Sequence, residues 1–457
     1  MKNLEKIQKQ KATRAVNTAL KRKMDISSYE LKIDSSHLSR QAKEKIELVF
    51  LSAKWLRNYM IGSNTIFSTP DSIKEVAVMV YNPETKKCDK PEMRNLAMSS
   101  QIKQSYIDSV QQSVKDLSAA KKKGISIGRL KFSKEISTVP LNQPNVTYRL
   151  IGHNKIRLQG IGVVKVHGLE QMRGKILANA QLIKKASGFF IKVICYKEKE
   201  IRDKEGAVGI DMGIKDTLVF SDGRKIKVCI ETPKRIKKLQ KGLARKREVA
   251  KKQKREFASK NYIKEKIALQ KAFERLSHQK DDIANKIVNG LKGYALVAIQ
   301  DENLSGWQHG LFGKQVQESI LGRIKTRIKR LETAKVINRF LPTTKFGPVS
   351  LKNLIVKLSD RVFKDGWYEE DRDIKAAKMI LAFALYNPDL KPEEFRRLPV
   401  EELAAIIEKF YDFGKVLCNF KKVVDLSLQQ VESVETGSHL GFFREVGNNF
   451  LLEATAL

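Results

Sequence analysis

The chain has 457 residues, enough for two or three domains that each bury a core, so one small fold does not account for it. It carries 88 Lys and Arg against 51 Asp and Glu, a formal charge of +37, which repels itself unless a polyanion such as nucleic-acid phosphate neutralises it. No run approaches the roughly 18 to 20 apolar residues of a membrane span, and the charged start MKNLEKIQKQKATR lacks the apolar centre of a secretory signal, so a cytoplasmic protein (prokaryotic cytosol or nucleoid) without membrane contact is expected.

Residues 1–30 are Lys-rich and end in KRKM. Next, Ile46, Val49, Phe50, Ala53, Leu56 and Met60 recur at three- and four-residue steps, which predicts an amphipathic helix capped by Ser39 or a neighbour. A second helix is expected over EMRNLAMSSQIKQSYIDSVQQSVKDLSAAKKKG, closed by Gly124. The basic loop KKKGISIGRLKF follows, and its Lys121, Lys122, Lys123, Arg129 and Lys131 suit phosphate. From 135 to about 203, short β-rich runs punctuated by glycine read as a small antiparallel barrel or sheet that draws on the first residues.

GAVGIDMGIKDTLVFSDGR reads as strand, turn and strand. A long Lys- and Arg-rich helical stretch from about 233 to 290 is expected to bury a seam of Leu269, Phe273, Leu276, Ile283 and Ile287. YALVAIQDE is a short, nearly continuous apolar strand. QESILGRIKTRIKRL places Ile320, Ile324, Ile328 and Leu331 on one face, opposite a basic face with Arg323, Arg327 and Lys329, further candidates for nucleic-acid contact. KVINRFLP reads as a strand and DRDIKAAKMILAFAL as a helix with acids in its first turn. Trp55 and Trp307 are expected to be packing anchors, and the four cysteines, Cys88, Cys195, Cys229 and Cys418, buried thiols without disulfides.

This element order is that of an RNase H-like fold, in which carboxylates from the first strand, the fourth strand and the last helix converge. The chain offers Asp211, the Gln300-Asp301-Glu302 cluster, and Asp371 with Asp373 at those three places.

VGIDMGIKDTLVFSDG, YALVAIQDENLSGW, LPTTK, LSDRV and YEEDRDIKAAKMI together resemble the RuvC motifs of the TnpB family, the transposon-encoded relatives of type V CRISPR effectors. IELVFLSAKWLRN and LSAAKKKGISIGRLKF extend the resemblance backward, so that it covers most of residues 30–385. The implied fold class is α/β plus β-barrel: an RNase H-like RuvC nuclease domain with an antiparallel β wedge domain and a helical recognition insertion. The implied domains are a basic N-terminal segment at 1–30 belonging to the wedge, a recognition lobe at 31–134, the wedge at 135–205, and RuvC-like parts at 206–344 and 371–385. Residues 345–370 would be a zinc-ribbon remnant and 386–457 a tail of unassigned role. The implied activity is RNA-guided cleavage of double-stranded DNA, with guide RNA and target DNA as partners and Mg²⁺ as cofactor.

Two features depart from that pattern. Where the family carries a zinc ribbon with paired cysteines, this chain reads KFGPVS and KDGWYEE, so no zinc is expected, and Phe346, Leu351, Leu354, Ile355, Val362 and Phe363 are expected to hold 345–370 by packing. Gln300 stands where the family's second acid is usual, and Gln is no anionic ligand. Side chains two apart on a strand share a face, so Glu302 could serve while Asp301 points away. The expected catalytic and Mg²⁺-holding set is Asp211, Glu302 and Asp373, with Asp371 as the helix cap. A nuclease-inactive guide-directed DNA binder acting as a repressor is the alternative, and a transposase with strand-exchange chemistry a third.

Overall fold

The computed structural model describes residues 23–82, 87–199, 203–253, 259–357 and 359–411, with only the backbone of 81–82 and 87–89. Residues 1–22 of the basic N-terminal segment and the tail beyond 411, with Cys418, lie outside this set. The chain divides into two compact units, Met1–Glu200 and Ile201–Leu457.

In the first unit, strand β1 (Met24–Lys32) precedes helix α1 (Arg40–Gly62). Ser39 caps α1 by accepting from Ala42 N at 3.1 Å, and Ile46, Val49, Phe50, Ala53, Leu56 and Met60 are all buried along its inner face. A hairpin of β2 (Glu75–Asn82) and β3 (Lys87–Asn95) leads to helix α2 (Ser100–Lys122). The expected second helix therefore starts late. Its predicted first turn, EMRN, pairs with β2 instead, and Ser99 makes the cap. Gly124 ends α2 at φ +79, a conformation that glycine adopts without steric cost.

Seven further strands follow: β4 (Thr138–Leu141), β5 (Tyr148–Ile151), β6 (Lys155–Leu158), β7 (Gly162–Lys165), β8 (Ile176–Lys185) and β9 (Gly188–Glu198) build the first unit's sheets, and β10 (Ala207–Asp211) opens the second unit. The first unit's strands form an antiparallel sheet of order β1-β9-β8-β4 and a meander of order β5-β6-β7. The expected barrel does not close among the described residues. β1 and β4 remain the two outer strands of their sheet, and the single bridge Ile33–Val166 links the ends of β1 and β7. One core holds both sheets and both helices, from Leu31 and Ile46 through Tyr106 to Val193. Trp55 packs on it as expected.

The second unit is mixed α/β. After β10 come β11 (Leu218–Phe220), β12 (Lys225–Ile226), helices α3 (Lys234–Lys252) and α4 (Lys260–Gly290), and β13 (Leu296–Gln300). Helices α5 (Leu304–Gln308), α6 (Gly313–Glu318) and α7 (Leu321–Ile328) then precede β14 (Ala334–Ile337), the hairpin β15 (Val362–Asp365) and β16 (Tyr368–Asp371), and helices α8 (Arg372–Tyr386), α9 (Pro392–Phe395) and α10 (Val400–Tyr411). The five-stranded sheet runs β12-β11-β10-β13-β14. β12, β11 and β10 are antiparallel, whereas β10, β13 and β14 are parallel.

Strand alternation gives this sheet two covered faces. Val208, Ile210, Val297 and Ile299 meet Ala284 and Val288 of α4 and Ile324 and Ile328 of α7, while Ala298 joins Met379, Leu381 and Phe383 of α8. The row α4 buries is Leu276, Lys280, Ala284 and Val288, with Ile283 and Ile287 beside it, and Phe273 is exposed. The expected seam was thus placed partly on the wrong stripe. Trp307 packs on this core. Gly209 lets α8 lie directly on β10: a Cβ there would collide with Ala377 O and come within 2.7 Å of Leu381 Cβ. Among the described residues no helix is long and apolar enough to cross a membrane. Cys195 is buried, but Cys229 is exposed, against expectation.

Residues 345–370 are held less by apolar packing than their sequence suggests. Phe346 and Phe363 are buried, whereas Val362 is exposed and Ile355 almost wholly so. Polar ties do the rest. Asp365 accepts from Val349 N (2.7 Å) and Ser350 N (2.9 Å), and the fully buried Lys375 of α8 donates to the carbonyls of Thr343 (3.0 Å), Thr344 (3.3 Å) and Phe346. The Lys375 ammonium also lies 4.1 Å from the Phe363 ring centroid.

Candidate active site

The parallel strands β10 and β13 end side by side, since Ile210 pairs with Ile299. Asp211 closes β10 on the α8 side of the sheet, and α8 begins at the same end. Asp371 caps that helix by accepting from Asp373 N (2.9 Å) and Ile374 N (3.2 Å), and its other oxygen takes Lys225 Nζ of β12 at 2.7 Å. Burial works against the charged form of Asp371, but the Lys225 bond and the helix amides keep its pKa below the usual value. Asp373 lies two residues further on, and its charge acts on Asp211.

Asp211 feels the charges of both Glu302 and Asp373. Burial, then the charges of Asp373 and Glu302, push the Asp211 carboxyl up to about 7, with Arg372 opposing. Burial also raises Glu302, helped by Asp301 and opposed by Lys325 and Arg339. An acid raised by desolvation and by neighbouring acids is a common mark of a functional site.

The QDE segment divides by side. Asp301 turns to α7, where Lys325 (2.7 Å) and Lys329 (2.6 Å) hold one of its oxygens. Gln300 is buried beneath the loop that follows β14. Its Nε2 donates to the carbonyls of Asn338 (3.2 Å), Arg339 (3.2 Å) and Leu341 (3.0 Å), and its Oε1 accepts from Thr343 Oγ1 at 2.8 Å. Gln300 therefore fastens the LPTTK loop from the strand side, as Lys375 does from the helix side.

Three carboxylates are a hard-oxygen donor set of the kind that suits Mg²⁺, and their mutual repulsion is what a divalent ion would relieve. As they stand, no group of three or more such side chains among the described residues is close enough to hold an ion. Asp373 has other partners: Arg372 Nε (3.1 Å) and Nη2 (3.0 Å) both donate to its Oδ1, and Arg361 Nη1 lies 3.7 Å from its Oδ2. Arg372 and Arg361 went unnoticed in the sequence, although the adjacency of arginine and acid in EEDRD was a visible signal.

The nucleic-acid candidates fall in two groups. Lys121, Lys122, Lys123, Arg129 and Lys131 are exposed at the end of α2 and in the loop after it, which is anchored by reciprocal bonds between Asn58 and Ser133 (3.0 and 2.8 Å). Arg323, Arg327 and Lys329 instead have acidic partners. Both arginines pair with Asp281 of α4, Arg327 also donates to Asn285 at 2.7 Å, and Lys329 holds Asp301. A phosphate would have to displace those carboxylates.

A two-faced α/β sheet with acids gathered at the ends of its central strands defines the class to which this unit belongs. Residues 193–301 match the family model OrfB_IS605, described as a probable transposase. No curated protein matches the chain. Among solved structures, it is similar to a Cas12f1–sgRNA–target DNA complex at 10% identity and a TM-score of 0.41, covering 78% of this chain and 98% of that one. It is also similar to a CRISPR-Cas12f ternary complex at 11% identity and a TM-score of 0.26, covering 77% and 81%.

Proposed function

We propose that this chain is an RNA-guided DNA endonuclease of the TnpB type, with its second unit an RNase H-like RuvC nuclease domain. The observation that carries this reading is the Asp211 carboxyl, raised by burial and then by the charges of Asp373 and Glu302, three acids more than 70 residues apart in sequence. These residues would hold Mg²⁺, which when bound activates water and offsets charge at the scissile phosphate. The chain's own groups prepare the place. Lys325 and Lys329 turn Asp301 aside, Asp371 sets the first turn of α8, and Gln300 and Lys375 fix the loop over the strand ends.

In this reading residues 31–134 form the recognition lobe, 135–205 the wedge, 206–344 and 371–385 the RuvC-like domain, and 345–370 a ribbon remnant that needs no zinc. Guide RNA and target duplex are the partners, in the cytosol or nucleoid. Lys121, Lys122, Lys123, Arg129 and Lys131 meet phosphate, consistent with the chain's charge of +37. Arg323, Arg327 and Lys329 are assigned to the same polyanion in second place, because they already have acidic partners. The alternative, a guide-directed binder that no longer cuts, is favoured by the engagement of Asp373 with two arginines. Both readings require a guide. Sequencing the RNA that copurifies with the full chain is expected to return one defined species, and finding no tightly held RNA would remove both.

A further inference from the structure

Arg372 is the first residue of α8 and is 8% exposed, an unusual place for a guanidinium without a strong local reason. Two of its nitrogens converge on Asp373 Oδ1, a third reaches Lys357 O at 3.4 Å, and its backbone N donates to Arg361 O at 2.8 Å. Arg361 in turn approaches the other oxygen of Asp373. Arg361, just before the β15–β16 hairpin, and Arg372, at the start of α8, thus bring two cations to one carboxylate, that of Asp373. Their position offsets part of the negative charge that Asp373 adds near Asp211. The charge of Arg372 also acts on Asp211, which it helps to keep ionised.

We propose that Arg372 is a built-in counter-ion that occupies a divalent cation's share of Asp373, so that loading the acid cluster requires the Arg372–Asp373 pair to open. This rests on reading Asp211, Glu302 and Asp373 as metal ligands. Arg372 is a positioning residue and a competitor in one. It keeps the cluster folded without an ion and lowers the affinity for the ion that replaces it. Arg361, at longer range, contributes in the same direction and more weakly.

The test is Mn²⁺ binding to the full chain, with free ion followed by its paramagnetic resonance signal, and with the variant carrying Asp211→Asn, Glu302→Gln and Asp373→Asn measured in parallel to subtract ions held by RNA. Arg372→Gln keeps a hydrogen-bond donor and removes the charge. It should bind the subtracted Mn²⁺ about tenfold tighter than wild type, equivalent to about 1.4 kcal/mol. Arg372→Lys should stay near wild type, and Arg361→Gln should tighten binding by a smaller factor, which keeps the test open if Arg372→Gln folds poorly. In EDTA, Arg372→Gln should melt below wild type and recover when Mn²⁺ is added. Wild type that binds Mn²⁺ while Arg372→Gln and Arg361→Gln bind equally or more weakly would overturn the proposal and leave the metal reading intact. Absence of subtracted Mn²⁺ from every variant would remove the metal reading and the proposal together.

Discussion

Gln300→Glu exchanges one NH₂ for an oxygen and leaves size and shape almost unchanged. In the folded chain that NH₂ serves three carbonyls, those of Asn338, Arg339 and Leu341, in a position only 5% exposed. A carboxylate would set its oxygens against theirs, and a protonated acid would bring one donor to three acceptors. Each buried carbonyl left without a donor costs about 1–3 kcal/mol, so the loss should total about 2–4 kcal/mol. The penalty depends on pH. Burial raises the folded pKa of the new acid above its unfolded value of about 4.3, so the folded state holds the proton longer and stability falls as pH rises through that interval. Urea unfolding followed by circular dichroism at pH 5 and pH 8 should therefore show the larger deficit at pH 8. Mn²⁺ affinity should not rise, because position 300 faces the loop. Equal stability at both pH values, or a gain in metal affinity, would show that the side chain faces the acid cluster instead.

Asp211→Asn tests the raised pKa that burial and the neighbouring acids give Asp211. With its pKa at about 7, Asp211 keeps in the folded state a proton that the unfolded chain has already lost, so wild type in EDTA loses stability between about pH 4 and 7, by up to about 4 kcal/mol. The variant should escape that loss, with its melting temperature rising relative to wild type as pH increases, and parallel curves would refute the raised Asp211 pKa. Lys375→Met would strip the donor from the carbonyls of Thr343, Thr344 and Phe346. Although burial already pushes Lys375 down to about 7, the orphaned carbonyls should dominate, with a net loss of about 3 kcal/mol and faster proteolysis within 343–371. A variant as stable as wild type would contradict the view that this lysine holds the segment.

Local periodicity carried much of the fold. The spacing of Ile46, Val49, Phe50, Ala53, Leu56 and Met60 locates the buried face of α1 residue by residue, because a helix with one apolar stripe has one way to bury it. It failed where pairing overrode pattern. EMRN is a good helix former that β2 captures as a strand, and the glycine-punctuated strands of 138–198 read equally as barrel or sheets, since closure depends on partners that no local window contains. In the candidate site, strand alternation groups Gln300 with Glu302, but Gln300 is taken by the loop after β14 while the charge of Glu302 acts on Asp211, and Asp301 turns to Lys325 and Lys329. The partners were not legible. That Gln300 would be consumed by a loop 38 to 43 residues away, that Lys375 would be buried under that loop, and that Arg323 and Arg327 would find Asp281 are consequences of tertiary packing. Ile355, apolar but 97% exposed, shows the converse error of assuming that every apolar residue finds a core.

The measurement closest to the central claim is cleavage of a guide-matched DNA duplex by the purified chain with its copurified RNA and Mg²⁺, beside a binding assay on the same samples. Wild type should bind and cut. Glu302→Gln and Asp211→Ala should bind nearly as well and fail to cut, since a RuvC site short of one carboxylate no longer holds its ions. Wild type that binds its matched target yet never nicks it would contradict the nuclease account and leave the guide-directed binder in its place.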